Sequence, residues 1–297
     1  MTPEWPAPDP VPVRFSTGRD RADRPGRPGL TSGEVKACCA AAYDSDAVAM
    51  LLGDAFHPGG AALTRQLAGY LGLQPGHRVL DVASGPGSTA LLLAREHDVQ
   101  VDGVDLGEKN LARARIAAEA AGLAGRVRFR PGDAECLPFP DQAFDAVVCE
   151  CAFCTFPAKE TAAAELARVL RPGGRAGITD VTLVPSRLDH RLAGLAGWIA
   201  CLADARPLDD YRRILTAAGL RVTRAERHDE ALAQMIGQIE GRLRVLRMAA
   251  RAAGVPGPGP GGIDAGPVLK MAALAREAVA AGTLGYGLLI VEKGHPA

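Results

Sequence analysis

Residues 79 to 89 read Val79-Leu80-Asp81-Val82-Ala83-Ser84-Gly85-Pro86-Gly87-Ser88-Thr89. Val79, Leu80 and Val82 have the pattern of a buried strand. The Gly-Pro-Gly turn after them opens an apolar helical run from Ala90 to Ala94. A strand, a tight glycine turn and a helix N-terminus make a nucleotide-binding corner, because the first N–H groups of a helix have no partner within it. Gly85 and Gly87 let the backbone approach a ligand where a Cβ would clash.

The spacing Gly85-x-Gly87-x-x-Ala90 also fits a dinucleotide fingerprint, with Asp105 near the position of a ribose-binding acid. Asp81 separates the two readings. An anion at the end of the strand repels a pyrophosphate and attracts a ligand that carries an ammonium and a sulfonium. The corner therefore favours S-adenosylmethionine over NAD. Asp105, followed by Leu106, ends the second strand, and its two oxygens can take both ribose hydroxyls. Asp133 follows the third strand. Its carboxylate can accept from an exocyclic adenine amine, and the Ala134 N–H can meet a ring nitrogen. Three acids at the C-terminal ends of successive strands mark the edge at which open α/β sheets bind ligands.

Outward from this corner the chain alternates strand and helix. Strands are expected near 78–82, 99–104, 126–130, 144–149 and 175–181, with helices near 88–96, 108–121 and 158–169. Arg171-Pro172-Gly173-Gly174 reads as the turn into the fifth strand. Such alternation predicts an α/β, Rossmann-like, doubly wound and mostly parallel sheet covered on both faces. Residues 34–55 read as a helix broken near Asp44-Ser45, and 61–72 as an amphipathic helix. Residues 185–220 read as a helical insertion, with Leu208-Asp209-Asp210 as a helix start and Gly219 as its stop. A strand near 221–226, a long helix over 231–253, a Gly/Pro linker at 254–262, a helix near 266–281 and a terminal antiparallel strand, Tyr286–Glu292, complete the pattern. Arg242, Arg244, Arg247 and Arg251 read as a solvated helix face. The domain plan is a proline-rich disordered tail (1–33), an N-terminal helical cap (34–76), a cofactor-binding core (77–183) and substrate-side helices with the last strands of the same sheet (184–297).

Composition bounds the function. Of 297 residues 47% are hydrophobic, and Lys+Arg and Asp+Glu both number 34. With no net charge there is no basic field for nucleic acid or an anionic membrane surface. No apolar run approaches the ~20 residues of a membrane span. The N-terminus lacks a signal-peptide pattern, so a cytoplasmic location is expected, where the seven cysteines are thiols rather than disulfides.

Those thiols cluster in the sequence. The fourth strand ends in Val147-Val148-Cys149-Glu150-Cys151-Ala152-Phe153-Cys154, and Cys38, Cys39, Cys136 and Cys201 lie elsewhere. In an extended segment Cys149 and Cys151 face the same way. Cysteine is often a small buried hydrophobe, the preferred reading for Cys136 and Cys149. Structural zinc is disfavoured, because the spacing is not paired and no histidine stands nearby. Thiols at a pocket mouth also suit a thiophilic substrate such as trivalent arsenic, whose lone pair is itself the nucleophile.

The segments VLDVASGPG, VDGVD, GDAECLPFPDQAFD and LRPGG resemble class I S-adenosylmethionine-dependent methyltransferases over residues 70–182. Asp81, Ala83, Gly85, Gly87, Asp105, Leu106, Asp133, Ala134 and Cys149 carry over as cofactor positions. Ala83 stands where that family usually has glycine, and local crowding is expected there. Tyr43 is expected to close over the methionine end. Within the family, Cys151 in CECAF and Cys201 in ACLADARPLDDYRRILTAAGL resemble arsenite methyltransferases of a compact subgroup, with Cys38 or Cys39 completing the set. The resemblance implies methylation of arsenite or thiol-conjugated arsenic bound by Cys151, Cys201 and Cys39 or Cys38, with glutathione or thioredoxin as reductant. Alternatives are an O-, N- or C-methyltransferase in which the cysteines merely pack, and a non-catalytic metalloid-binding thiol protein.

Overall fold

The structure is a computed structural model that describes residues 31–53, 56–184, 186, 192, 204–252 and 264–295. The expectations for the tail up to residue 30, for most of 185–203 including Cys201, and for the 254–262 linker lie outside the described residues.

Three helices precede the sheet: α1 (Ser32–Tyr43), α2 (Asp46–Leu52) and α3 (Gly60–Leu71). Thr31 starts α1 with a capping box: its hydroxyl accepts from the Glu34 N–H, and the Glu34 carboxylate accepts from the Thr31 N–H. The break expected at Asp44-Ser45 separates α1 from α2, and Ser45 caps α2 through the Val48 N–H. The alternating core follows as β1 (Arg78–Val82), α4 (Ser88–His97), β2 (Gln100–Asp105), α5 (Glu108–Ala120), β3 (Val127–Pro131), β4 (Phe144–Glu150), α6 (Lys159–Val169) and β5 (Leu170–Leu183). Then come α7 (Leu208–Ala217), β6 (Leu220–Arg227), α8 (Asp229–Ala252), α9 (Ala265–Ala280) and β7 (Leu284–Lys293).

The seven strands form one sheet in the order β3-β2-β1-β4-β5-β7-β6. Strands β1 to β5 pair in parallel. The expected antiparallel strand is β7, which lies between β5 and β6 and runs against both. Val79, Leu80, Val82, Val101, Val147 and Val148 have essentially no exposure, so the centre of the sheet is covered on both faces. The order of strands reverses between β1 and β4, so the connections that leave the C-terminal ends of these two parallel neighbours lead to opposite sides, the arrangement that leaves a crevice.

Two local expectations are corrected. Arg171–Gly174 is not a turn ahead of the fifth strand. Leu170 already pairs with Phe144, the register then shifts so that Arg175 meets Ala146, and Gly173 takes φ +76° in the irregular stretch. Arg242 is not on a solvated face. Its guanidinium donates to the carbonyls of Leu51 and Leu52 at 2.5 and 2.8 Å, satisfying the C-terminal end of α2. Gly53 lies beside it at φ +78°, where a Cβ would come 2.6 Å from that guanidinium.

Candidate active site

The crevice is a pocket that gathers Asp81, Ala83, Ser84, Gly85, Asp105, Leu106, Asp133 and Ala134 from three separate strand ends. Helix α1 adds Lys36, Cys39 and Tyr43, the loop before α3 adds Phe56 and His57, and the end of β4 adds Glu150 and Cys151. Cys38, Gly87 and Cys149 do not line it.

Gly87 serves the corner from behind. It sits at φ +86°, and a Cβ there would lie 2.6 Å from Phe129 and 3.0 Å from Ala114, so its glycine brings α4 close to β3 and α5. Ala83 also has a positive φ, +58°. The crowding expected at this non-glycine takes the form of backbone strain, on the order of 1–2 kcal/mol for an L residue in the left-handed region. Cys149 and Cys151 do not share a face. Strand β4 ends at Glu150, and Cys151 turns away at φ +55° with its N–H donated to the Thr179 carbonyl at 2.7 Å. Cys151 therefore reaches the pocket, whereas Cys149 is fully buried and its thiol is pushed well above the ordinary range by desolvation and the nearby Asp180 carboxylate.

The loop after β4 is pinned from below. The Lys159 ammonium, 2% exposed, donates to the carbonyls of Cys154 and Phe156 at 2.7 and 3.0 Å and to Asp204 at 2.7 Å. The Cys154 N–H donates to Asp180 at 2.7 Å. A buried ammonium left without such partners would cost several kcal/mol, so the loop and α6 hold each other in place.

Asp105 binds loops as well as facing the pocket. Its two oxygens accept from the N–H groups of Gly85 and Gly107 at 2.8 and 2.7 Å. Burial raises its carboxyl pKa, and those two hydrogen bonds oppose the rise. Asp133 has a partner that no sequence pattern announced. Lys36 on α1 donates to it at 2.7 Å and also pairs with Glu135. The Glu135 carboxylate in turn accepts from the Ala158 N–H at 2.7 Å. Asp44, just after α1, accepts from the N–H groups of Lys109 and Asn110 at 3.0 and 2.6 Å, and Asn110 donates to the Tyr43 carbonyl at 3.2 Å. These contacts seat α1, and with it Tyr43 and Cys39, over the pocket.

The floor is acidic. Asp81 is 2% exposed, and desolvation, followed by repulsion from Glu150 and Asp105, raises its carboxyl well above the usual range. Among the described residues, Asp81 Oδ2, Glu150 Oε1 and Ser84 Oγ are buried without a hydrogen-bond partner. Unpaired buried oxygens of this kind cost free energy, and they fit a cationic ligand that donates N–H groups. S-adenosylmethionine, whose methionine end carries an ammonium, meets that need. NAD does not, because its pyrophosphate would face Asp81.

Tyr43, Phe56 and Cys151 also border a second cavity of about 330 Å³. Its remaining lining is aliphatic, including Val48, Leu51 and Leu52 from the α2 region, Leu232, Met235, Ile236 and Ile239 from α8, and Val268, Met271 and Ala272 from α9. Sequence reasoning did not find this cavity, since its wall is assembled from helices far apart in the chain. Among the described residues no three His, Cys, Asp or Glu side chains are placed to hold a metal ion. Cys39 and Cys151 share the cofactor pocket, but Cys201 lies outside the described residues.

Residues 79–174 match the family described as methyltransferase domain. The chain belongs to the class I S-adenosylmethionine-dependent methyltransferases, and S-adenosylmethionine is its cofactor. It is similar to an uncharacterized protein of Haemophilus influenzae, at 32% identity over 66% of this chain and 80% of that one. It is 37% identical to the 27-O-demethylrifamycin SV methyltransferase of Amycolatopsis mediterranei over 55% of this chain and 61% of that protein. It is 32% identical to the arsenite methyltransferase of Halobacterium salinarum over 64% of this chain and 48% of that protein. The chain thus spans less than two thirds of the length of these last two relatives. A phosphoethanolamine N-methyltransferase of Haemonchus contortus, solved in complex with S-adenosylmethionine, shares the fold with a TM-score of 0.70, at 19% identity over 89% of this chain and 58% of that one. No helix among the described residues is long and apolar enough to cross a membrane.

Proposed function

We propose that the protein transfers a methyl group from S-adenosylmethionine to an apolar organic small molecule seated in the aliphatic cavity. The observation that carries this is the shared border of the two cavities, at Tyr43, Phe56 and Cys151. An acceptor held among Leu232, Ile236 and Met271 could reach the methyl-bearing end of the cofactor pocket past those three side chains. The cofactor supplies an electrophilic methyl group. The chain supplies alignment and a water-poor path, which are worth most when both partners are fixed before reaction. Apolar walls favour an acceptor with a hydrocarbon body, at about 25 cal/mol for each Å² of apolar surface removed from water.

A second reading is kept on a specific observation: Cys39 and Cys151 line the same pocket. Two thiolates there could hold trivalent arsenic, with Cys201 as a further ligand and glutathione or thioredoxin as external reductant. It stands behind the organic acceptor because the cavity that adjoins the cofactor pocket is walled by aliphatic side chains. A thiol protein that only sequesters metalloid would bind arsenite without consuming cofactor.

The test is formation of S-adenosylhomocysteine with a panel of phenols, hydroquinones and hydroxylated macrolactones, and separately with arsenite plus glutathione. Turnover on an apolar acceptor, with a KM that rises in Ala272→Trp while cofactor binding holds, is the expected result. Methylated arsenic that disappears in Cys151→Ser, with no organic turnover, would overturn it in favour of the second reading.

A further inference from the structure

We propose that Glu150 is a second anion for the α-ammonium of the cofactor's methionine moiety, bracketing it with Asp81. The inference rests on the cofactor assignment above and names a residue that the glycine corner does not contain.

The register places the two acids together. Asp81 of β1 pairs with Val148 of β4 in a parallel ladder. Side chains matched across such a ladder share a face, and Glu150 lies two residues beyond Val148 on that face. Glu150 accordingly raises the Asp81 carboxyl more than Asp105 does. Both side chains line the pocket and both are almost fully buried, at 3% exposure for the Glu150 side chain and 2% for Asp81.

The Glu150 carboxylate is held at one end only. Its Oε2 accepts from the Thr89 hydroxyl at 2.6 Å and from the Thr64 hydroxyl at 3.0 Å, and His57 Nε2 lies 3.5 Å away. Three elements, α3, α4 and the loop before α3, thus converge on one oxygen. The other oxygen, Oε1, has no partner among the described residues, and neither has Asp81 Oδ2. A carboxylate fixed in this way, with its free oxygen buried in a ligand pocket, needs a donor from the ligand. The sulfonium has no N–H to give. The ammonium has three, and two buried anions supply the charge that balances it.

Three ligands separate the roles. S-adenosylhomocysteine keeps the ammonium and lacks the sulfonium charge, whereas 5′-methylthioadenosine lacks the whole amino-acid end. Isothermal titration of the full chain should show that Glu150→Gln weakens S-adenosylhomocysteine about tenfold or more, the loss of one hydrogen bond to a charged group, and leaves 5′-methylthioadenosine unchanged. Thr89→Val, which frees the carboxylate to swing, should weaken S-adenosylhomocysteine several-fold, and Thr89→Ser should restore it. Loss of S-adenosylmethionine binding alone would assign Glu150 to the sulfonium and overturn the proposal. Equal losses for all three ligands, or none, would overturn it too. A wild-type protein that binds none of the three would overturn the cofactor assignment itself.

Discussion

Changing Asp81 to Asn should make the unliganded protein more stable and a poorer binder of its cofactor. Asp81 is buried, has one oxygen without a partner, and faces Glu150 and Asp105. Its carboxyl titrates well above the ordinary range, so its charged form is disfavoured in the folded chain relative to the unfolded one. The sign follows from linkage. A carboxyl raised on folding leaves the native state holding more protons than the unfolded state, so stability falls as pH rises through that interval. The cost therefore begins in the ordinary carboxylate range and grows with pH until the raised pKa is passed. The amide keeps an oxygen for the Ala90 N–H that Asp81 accepts and turns an NH₂ toward the acidic neighbours. Removing an unpaired buried charge should then recover about 1–3 kcal/mol, or a rise in melting temperature of about 2–4 °C for each kcal/mol. Losing a charge-assisted bond to the ammonium should cost about 1.5–3 kcal/mol of binding, about 10- to 100-fold in Kd. Thermal denaturation from pH 4 to 8, with and without S-adenosylhomocysteine, reads both effects. The stability gain should shrink toward pH 4, where the unfolded carboxyl also begins to take up its proton. An unliganded variant that melts lower than wild type at pH 7, or one that binds cofactor as tightly, would refute the reasoning.

Other residues give independent tests. Ala83→Gly should relieve the positive φ and raise stability by about 1 kcal/mol in urea titration, with cofactor affinity retained. Gly103→Ala should destabilise the chain strongly, because its Cβ would lie 2.5 Å from Phe129 and 2.9 Å from Ser84 Oγ; failure to fold, or a loss above about 2 kcal/mol, is expected. Cys149 should resist iodoacetamide at pH 8 while Cys151 reacts, since one thiol is buried and raised and the other borders two cavities; mass mapping of the labelled peptides checks this. Lys36→Met should leave the buried Asp133 and Glu135 carboxylates without their cation and lower both melting temperature and adenosine-end affinity, which 5′-methylthioadenosine titration reads.

The sequence alone determined the cofactor half. Strand, glycine turn and helix are local patterns, and Asp81, Asp105 and Asp133 each sit a fixed step from the strand they terminate. The parallel ladder converts those steps into one pocket, so a one-dimensional spacing was enough. It was also enough for the helix break at Asp44-Ser45, where a capping serine is a local signal. Only the tertiary structure decided the rest. Cys149 and Cys151 were read as sharing a face because alternation was extended past the end of β4; one backbone torsion at Cys151 sends them apart. Arg242 looked solvated because its partners, the carbonyls ending α2, lie nearly two hundred residues earlier. Lys36, His57 and Glu150 carry no motif, and their roles arise from helices laid across the sheet edge. The aliphatic cavity between α2, α8 and α9 is likewise a product of packing. Apolar residues on a helix announce that a face is covered, but whether another side chain or a ligand covers it depends on distances that no local pattern encodes.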